Sequence, residues 1–211
     1  MIGIYWDCDG TLMDTERSYA LAWKEHLSNF GLEISEEDIR QWFGIDDRLV
    51  HSFYSNIFDL ENFDKTMASL GKIIEGTLNE KLMFQDAKTL LEETNNKGWT
   101  SACVSASPYE LLKNKLIKGN IFDYFSYVIG GDQVKRNKPY PDIYNKAISE
   151  LQTTKNIVIE DSPPGISSGK ASGSFVVAID RGIFTKDELN KADLIVDNLS
   201  INIIETVFNT L

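Results

Sequence analysis

The stretch that decides the fold is Ile4–Glu16, IYWDCDGTLMDTE. A short apolar run ends in two aspartates, Asp7 and Asp9, one residue apart, and Gly-Thr follows at once. Alternate residues of a strand point the same way, so two carboxylates this close repel each other unless a cation lies between them or the chain turns. Gly10 supplies a turn directly after Asp9, so the two side chains need not stay parallel.

Working outward, residues 2–7 read as a buried strand, and the pattern then becomes helical. Tyr19, Trp23, Leu27 and Phe30 fall on one face, and Gly31 closes the segment. Ser35 and Asp38 form a capping-box-like start to a further helix whose apolar side is Ile39, Trp42 and Phe43. Residues 47–58 and 60–80 continue in the same style, with no proline before Pro108. From about residue 84 the texture changes to strands alternating with helices. DAKTLLEETNNKG is a helix closed by Gly98, and WTSACVSAS is a strand. SPYELLKNKLI is a helix with Ser107 as N-cap, Pro108 at its first position and Glu110 at its third. YFSYVIGG, NIVIEDS, SFVVAID and DLIVDN are strands. PDIYNKAISEL and PGISSGKASG are helices, TKDELNKA starts with a Thr185–Glu188 capping box, and a last helix follows. This order predicts an α/β fold, a Rossmann-like parallel sheet core interrupted after its first strand by an all-helical insert. The expected core is 1–14 with 81–211, and the expected insert is 15–80.

Composition narrows the function classes. A hydrophobic fraction of 42% over 211 residues is enough for a real core. No apolar run approaches the ~20 residues needed to span a bilayer, so no membrane role is expected. The N-terminal MIGIYWDCDG reads as a strand rather than a leader. The net charge of −11, with no Lys/Arg cluster, argues against nucleic acid as a partner. Cys8 and Cys103 lie in segments that read as buried strand ends and are expected to pack as small hydrophobes. Neither they nor His26 and His51 make a metal-ligand spacing. A reduced, cytoplasmic chain is the expectation, with a monomer as default.

In open α/β sheets ligands bind beyond the carboxyl ends of the strands. The residues that follow each strand here are Asp7 and Asp9, then Ser105, Ala106 and Ser107, then Glu160 and Asp161, with Lys138 on a loop before a helix. Asp7 with Asp161 can hold Mg²⁺ through oxygens. The cation offsets the clustered negative charge and neutralises an incoming phosphate. Asp7 is then placed to attack phosphorus, and Asp9 to protonate the leaving oxygen and later activate water. Ser105 and Lys138 can hold phosphoryl oxygens, with exposed N–H groups after Asp9 and at Ser107 adding anion binding.

These segments resemble the haloacid dehalogenase-like hydrolase superfamily. DCDGT is similar to its first motif, VSAS to its second, KPYPD to its third and IEDSPPGISSGKASG to its fourth. The helical insert resembles the cap of the β-phosphoglucomutase-like and phosphoglycolate-phosphatase-like branch. The resemblance implies Asp7 as nucleophile, Asp9 as acid/base, and Ser105, Ala106 and Lys138 as phosphate ligands. It implies Mg²⁺ on Asp7, the Asp9 carbonyl and Asp161, with Glu160 near or in the shell. FGIDDR, residues 43–48, resembles a substrate-selecting cap loop and nominates Gly44 and Arg48.

Asp9 also discriminates within the family, because the dehalogenase and phosphonatase branches lack a second acid there. The resemblance therefore implies a Mg²⁺-dependent phosphatase of small phosphorylated metabolites, sugar phosphates first, working through an aspartyl-phosphate. One alternative is a phosphomutase; Tyr19, where mutase relatives carry histidine, weighs against it. The other is a non-catalytic metabolite sensor on the same fold. Two departures stand out. Phe84–Leu91, FQDAKTLL, replaces a usual Pro-Gly, and Trp6 replaces a usual Phe and faces either the core or the cap.

Overall fold

The computed structural model describes residues 2–35, 38, 42 and 47–211, with the side chains of Glu16 and Asp47 left aside. The chain divides into two compact units, Met1–Asp14 with Asn79–Leu211, and Thr15–Leu78.

The first unit is built on a six-stranded sheet: β1 (Ile2–Trp6), β2 (Thr100–Ser105), β3 (Tyr127–Gly130), β4 (Lys155–Glu160), β5 (Phe175–Ile179) and β6 (Leu194–Val196). Every adjacent pair is parallel, in the order β3-β2-β1-β4-β5-β6. β1 is therefore central, and the chain changes direction of travel across the sheet between β3 and β4. That switch opens a crevice beyond the carboxyl ends of β1, β2 and β4. In register, Trp6 lies opposite Cys103 on one side and Ile159 on the other.

Successive residues of β1 feed opposite faces. Ile4 and Trp6 join Ala87, Leu90, Leu91, Leu112, Leu116, Ile204, Val207 and Phe208 in one apolar cluster. These come from helices α4 (Gln85–Asn96), α5 (Tyr109–Lys118) and α8 (Ile201–Thr210). Tyr5 joins Ala102, Val104 and Val158 with Ile143, Tyr144 and Ala147 of α6 (Asp142–Leu151) and Ile166 of α7 (Pro163–Ala171) on the other face. Helices on both sides explain why the strands are near-continuous apolar runs rather than alternating ones. Trp6 is a core residue: it is fully buried, and its Nε1 donates to Ser101 Oγ at 3.3 Å.

One local expectation is corrected, and a second is met without a helix. Helix α5 starts at Tyr109, with Pro108 extended just before it as N-cap, and Ser107 does not cap it. Asp132 Oδ1 takes the Tyr109 N–H instead, which leaves the Ser107 hydroxyl for other partners. The Thr185–Glu188 box forms, with Thr185 N–H donating to Glu188 Oε2 at 2.8 Å, but it closes a turn and no helix follows. The segment is too short before β6 to propagate, and a one-turn helix has no net driving force of its own.

The second unit contains α1 (Thr15–Ser28), α2 (Asp47–Ser55) and α3 (Phe63–Thr77) among its described residues. Trp23 and Leu27 of α1 and Leu70 and Ile74 of α3 are buried, and His26 Nδ1 lies 3.1 Å from Ser69 Oγ across the α1–α3 contact. Ser35 and Asp38 exchange backbone-to-side-chain bonds as a capping box, while much of the helix expected after them lies outside the described residues. Among the described residues no helix is long and apolar enough to cross a membrane.

Candidate active site

β1 ends at Trp6, and Asp7 stays aligned with the sheet because its N–H still donates to Ile159 O at 3.0 Å. Its side chain is 8% exposed. Lys138 reaches in from the loop before α6 and lies 2.6 Å from Asp7 Oδ1, 2.6 Å from Glu160 Oε1 and 2.9 Å from Val104 O. One buried ammonium therefore ties together the ends of β1, β2 and β4. Glu160 Oε1 also accepts from Tyr144 OH at 2.9 Å, and Glu160 Oε2 accepts from Ser162 Oγ at 3.1 Å and from the N–H groups of Asp161 and Ser162. Asp161 follows β4 and accepts from Thr11 Oγ1 at 3.2 Å.

Asp7, Glu160 and Asp161 each offer a carboxylate oxygen, all within 4.8 Å of one another. Burial raises the Asp7 carboxyl to about 7; Lys138 pulls it down, while Glu160 and Asp9 push it up. Asp161 is raised well above the carboxylate range, first by burial and then by Asp7 and Glu160. Lys138 loses hydration by burial, but its attraction to Asp7 and Glu160 outweighs that loss and raises it well above an ordinary lysine. Three carboxyls sharing one ammonium leave the cluster short of positive charge. Its donors are all hard oxygens, so the residues fit a small divalent cation such as Mg²⁺.

Two glycines make this packing possible. Gly10 has φ +82°, and a Cβ there would stand 2.0 Å from Asp161 Oδ2. A Cβ on Gly165 would stand 1.8 Å from Glu160 Oε1.

Asp9 lies apart from that cluster. Its Oδ2 accepts from Ser105 Oγ at 3.2 Å and Ser107 Oγ at 2.9 Å, and Oδ1 takes a bond from Lys115 Nζ. Its side chain is 26% exposed. The Gly10 turn thus resolves the crowding posed by the sequence: the two aspartates face different partners, and each has its own buried lysine. Ser105 Oγ also accepts the Ser107 N–H at 3.0 Å. Ala106 is exposed between these serines, and its carbonyl accepts from Asn137 Nδ2 at 3.0 Å, tying the β2 end to the Lys138 loop.

The structure therefore brings Asp7, Glu160, Asp161 and Lys138 together, with Asp9 and Ser105 beside them. Gly44 lies outside the described residues. Arg48 belongs to the helical unit, where its guanidinium sits 4.5 Å from the centre of the Phe63 ring. Cys8 and Cys103 are buried and free. Contact with Cys103 and burial both push the Cys8 thiol up, so it is a poor nucleophile.

Sequence reasoning missed Lys115, Tyr144 and Thr11. Lys115 had a readable signal, since it lies on the apolar stripe of α5 between Leu112 and Leu116, an unusual place for a lysine. Tyr144 reads as one more apolar position of α6, and only the fold shows its hydroxyl meeting Glu160. The replaced Pro-Gly at Phe84–Leu91 has a structural counterpart: Arg181 stacks on Phe84 at 3.8 Å, donates twice to Asp86 at 3.0 Å and reaches Thr11 O at 3.2 Å.

The model of the haloacid dehalogenase-like hydrolases matches residues 4–179. The phosphorylated carbohydrates phosphatase of Thermotoga maritima is 29% identical over 82% of this chain and 82% of its own. The fructose-1-phosphate phosphatase YqaB of Escherichia coli is 27% identical over 84% of this chain and 95% of its own. Among solved structures, a β-phosphoglucomutase from Clostridium difficile superposes with a TM-score of 0.77 at 22% identity, covering 100% of this chain and 98% of that one; this likeness shows the fold. A match running from the β1 strand through the acid pair after it to the end of β5 spans every segment that builds the crevice, and the chain belongs to the haloacid dehalogenase-like hydrolase family.

Proposed function

We propose that this protein is a Mg²⁺-dependent phosphatase of small phosphorylated metabolites, with sugar phosphates as the first class to test. The observation that carries the reading is the split fate of the two aspartates at the β1 end: Asp7 sits in a buried, cation-seeking cluster, while Asp9 sits beside it on separate donors. Two carboxyls in unlike environments suit a nucleophile paired with an acid/base. The phosphatases related by sequence support the same class of substrate.

Asp7 and Asp161, with the Asp9 carbonyl, are the groups assigned to Mg²⁺, with Glu160 near or in the shell; the ion when bound would supply charge neutralisation for the phosphoryl oxygens. An Asp7 oxygen attacks phosphorus, the bond to the leaving oxygen breaks, and Asp9, entering the step in its protonated form, gives that oxygen its proton. Water then attacks the aspartyl-phosphate and loses a proton to Asp9, so inorganic phosphate leaves and both side chains return to their starting states. Lys138 holds a phosphoryl oxygen while staying anchored to Glu160 and Val104 O, and Ser105 and the backbone about Ala106 complete the oxygen contacts. Glu160 keeps Lys138 aimed, with Tyr144 fixing Glu160 in turn. The family resemblance assigns the helical unit the role of a cap, with Gly44 and Arg48 as candidates for reading the part of the substrate remote from phosphorus.

The test is phosphate release from a panel of phosphorylated metabolites at saturating Mg²⁺, with and without a sugar bisphosphate. Hydrolysis is expected without the bisphosphate, with loss of at least ~10³-fold in Asp7→Asn and a hydroxylamine-sensitive label on the wild-type chain. Isomerised sugar phosphate appearing only with the bisphosphate would make the enzyme a mutase. Absence of any turnover and any label would return the chain to the sensor alternative.

A further inference from the structure

Lys115 is a charged side chain with 0% exposure, set on the apolar stripe of α5 between Leu112 and Leu116, which are themselves fully buried. A lysine in such a place is strongly disfavoured unless its charge is matched. Its Nζ bonds Asp9 Oδ1 and donates to Ser107 Oγ at 3.1 Å. Ser107 Oγ in turn donates to Asp9 Oδ2 at 2.9 Å. Lys115 therefore reaches both oxygens of one carboxylate, the first directly and the second through a hydroxyl, in a closed three-membered loop. Ser105 Oγ adds a further donor to Oδ2 at 3.2 Å.

We propose that Lys115 is the positioning residue for the reaction's acid/base: anchored in the core under the β1–β2 ends, it fixes where the Asp9 carboxylate stands. This inference rests on the acid/base role given to Asp9 above. Lys115 has no solvent-accessible surface, so it acts on substrate through the groups it holds, the Asp9 carboxylate among them. The arrangement also separates labour between the two buried lysines. Lys138 serves the Asp7–Glu160 pair, and Lys115 serves Asp9, so neither carboxylate competes for the other's cation. General acid catalysis depends on placing the proton within hydrogen-bond reach of the leaving oxygen, and small displacements of the acid are felt in rate. The effect is confined to substrates that need their leaving oxygen protonated. A sugar alkoxide needs it, and a nitrophenolate does not.

The experiment compares kcat/KM for a sugar phosphate and for p-nitrophenyl phosphate at saturating Mg²⁺ in wild type, Lys115→Met, Asp9→Asn and the double variant. Lys115→Met is expected to lose about 10²-fold on the sugar phosphate, within the range for a displaced general acid, and less than about 5-fold on the aryl phosphate. In the Asp9→Asn background the same substitution is expected to add less than about 2-fold on either substrate, because its target is gone. Ser107→Ala, which keeps the ion pair and cuts one arm of the loop, is expected to show a smaller loss with the same substrate selectivity. It tests the idea even if Lys115→Met does not fold, as judged by circular dichroism melts. Equal losses on both substrates, or a Lys115→Met loss that persists undiminished without Asp9, would overturn the inference while leaving the phosphatase reading intact. If Asp9→Asn itself treats the two substrates alike, the acid/base role falls, and this inference falls with it.

Discussion

Replacing Lys138 by methionine keeps the length of the side chain and removes the ammonium that Asp7 and Glu160 share. The two contacts are each 2.6 Å, and the side chains are 4%, 8% and 0% exposed for Lys138, Asp7 and Glu160. At that separation the gross attraction per contact is about 6 kcal/mol with an effective dielectric constant of about 20. Much of this is offset by the cost of drying the ammonium, and removing one partner of a buried pair costs a net ~3–5 kcal/mol because the remaining charge is left unmatched. For a chain of this size each kcal/mol moves the melting temperature by ~2–4 °C, so a fall of about 6–20 °C is expected in metal-free protein near neutral pH. The penalty must shrink on acidification. Asp7 is already raised to about 7, and Lys138 is the group that pulls it down, so without the lysine Asp7 rises further and takes up a proton. Below that point Asp7 is neutral and no longer needs the lysine. The assay is thermal unfolding of wild type and Lys138→Met in chelator, from about pH 5 to about pH 8. A gap between the two proteins that is constant with pH, or that widens toward acid, would refute the account of one ammonium stabilising clustered carboxylates.

Two further outcomes follow from the same cluster. Asp7 and Asp161 both have raised folded-state pKa values, so the metal-free fold binds more protons than the unfolded chain across the range between the ordinary carboxylate value and about 7. Their stabilising contribution is complete below the unfolded pKa; that of Asp7 is lost as pH rises through about 7 and that of Asp161 as pH rises through its own raised value, and the ionised carboxyls instead favour cation binding. The rise in melting temperature produced by Mg²⁺ should therefore be small at about pH 5 and grow toward about pH 8; an increment independent of pH would contradict it. Gly10→Ala should lower both stability and Mg²⁺ affinity, since the new Cβ would meet Asp161 Oδ2 at 2.0 Å and the residue would have to hold φ +82°. The left-handed backbone alone costs ~1–2 kcal/mol, and wild-type values from calorimetric Mg²⁺ titration and thermal melts would show that the turn tolerates a side chain.

The layout of the core was legible because its signals are local. Apolar runs ended by turn residues, separated by helical periodicity, imply parallel strands with crossover helices, and strand ends in such a sheet collect at one rim. That is why the sequence places Asp7, Asp9, Ser105, Glu160 and Asp161 at one rim, with Lys138 on a loop before a helix. The local signals that misled were those of short elements. Ser107 has the chemistry of an N-cap, yet Pro108 and Asp132 displaced it, and the displaced hydroxyl became a partner of Asp9. The Thr185–Glu188 box closes a turn, since capping starts a helix but cannot sustain one without packing.

What the sequence by itself determined is the chemistry available at the rim: residue types, their order and their attachment to strand ends, all consequences of short-range pattern. Only the tertiary structure decided how the charges pair. Whether Lys138 is solvated or buried, which side chains hold Glu160, and which of the two aspartates at the β1 end Lys115 serves depend on contacts between residues 22 to 131 positions apart. Electrostatic energy inside a protein depends on distance and exposure, and neither is written in the spacing of residues along the chain.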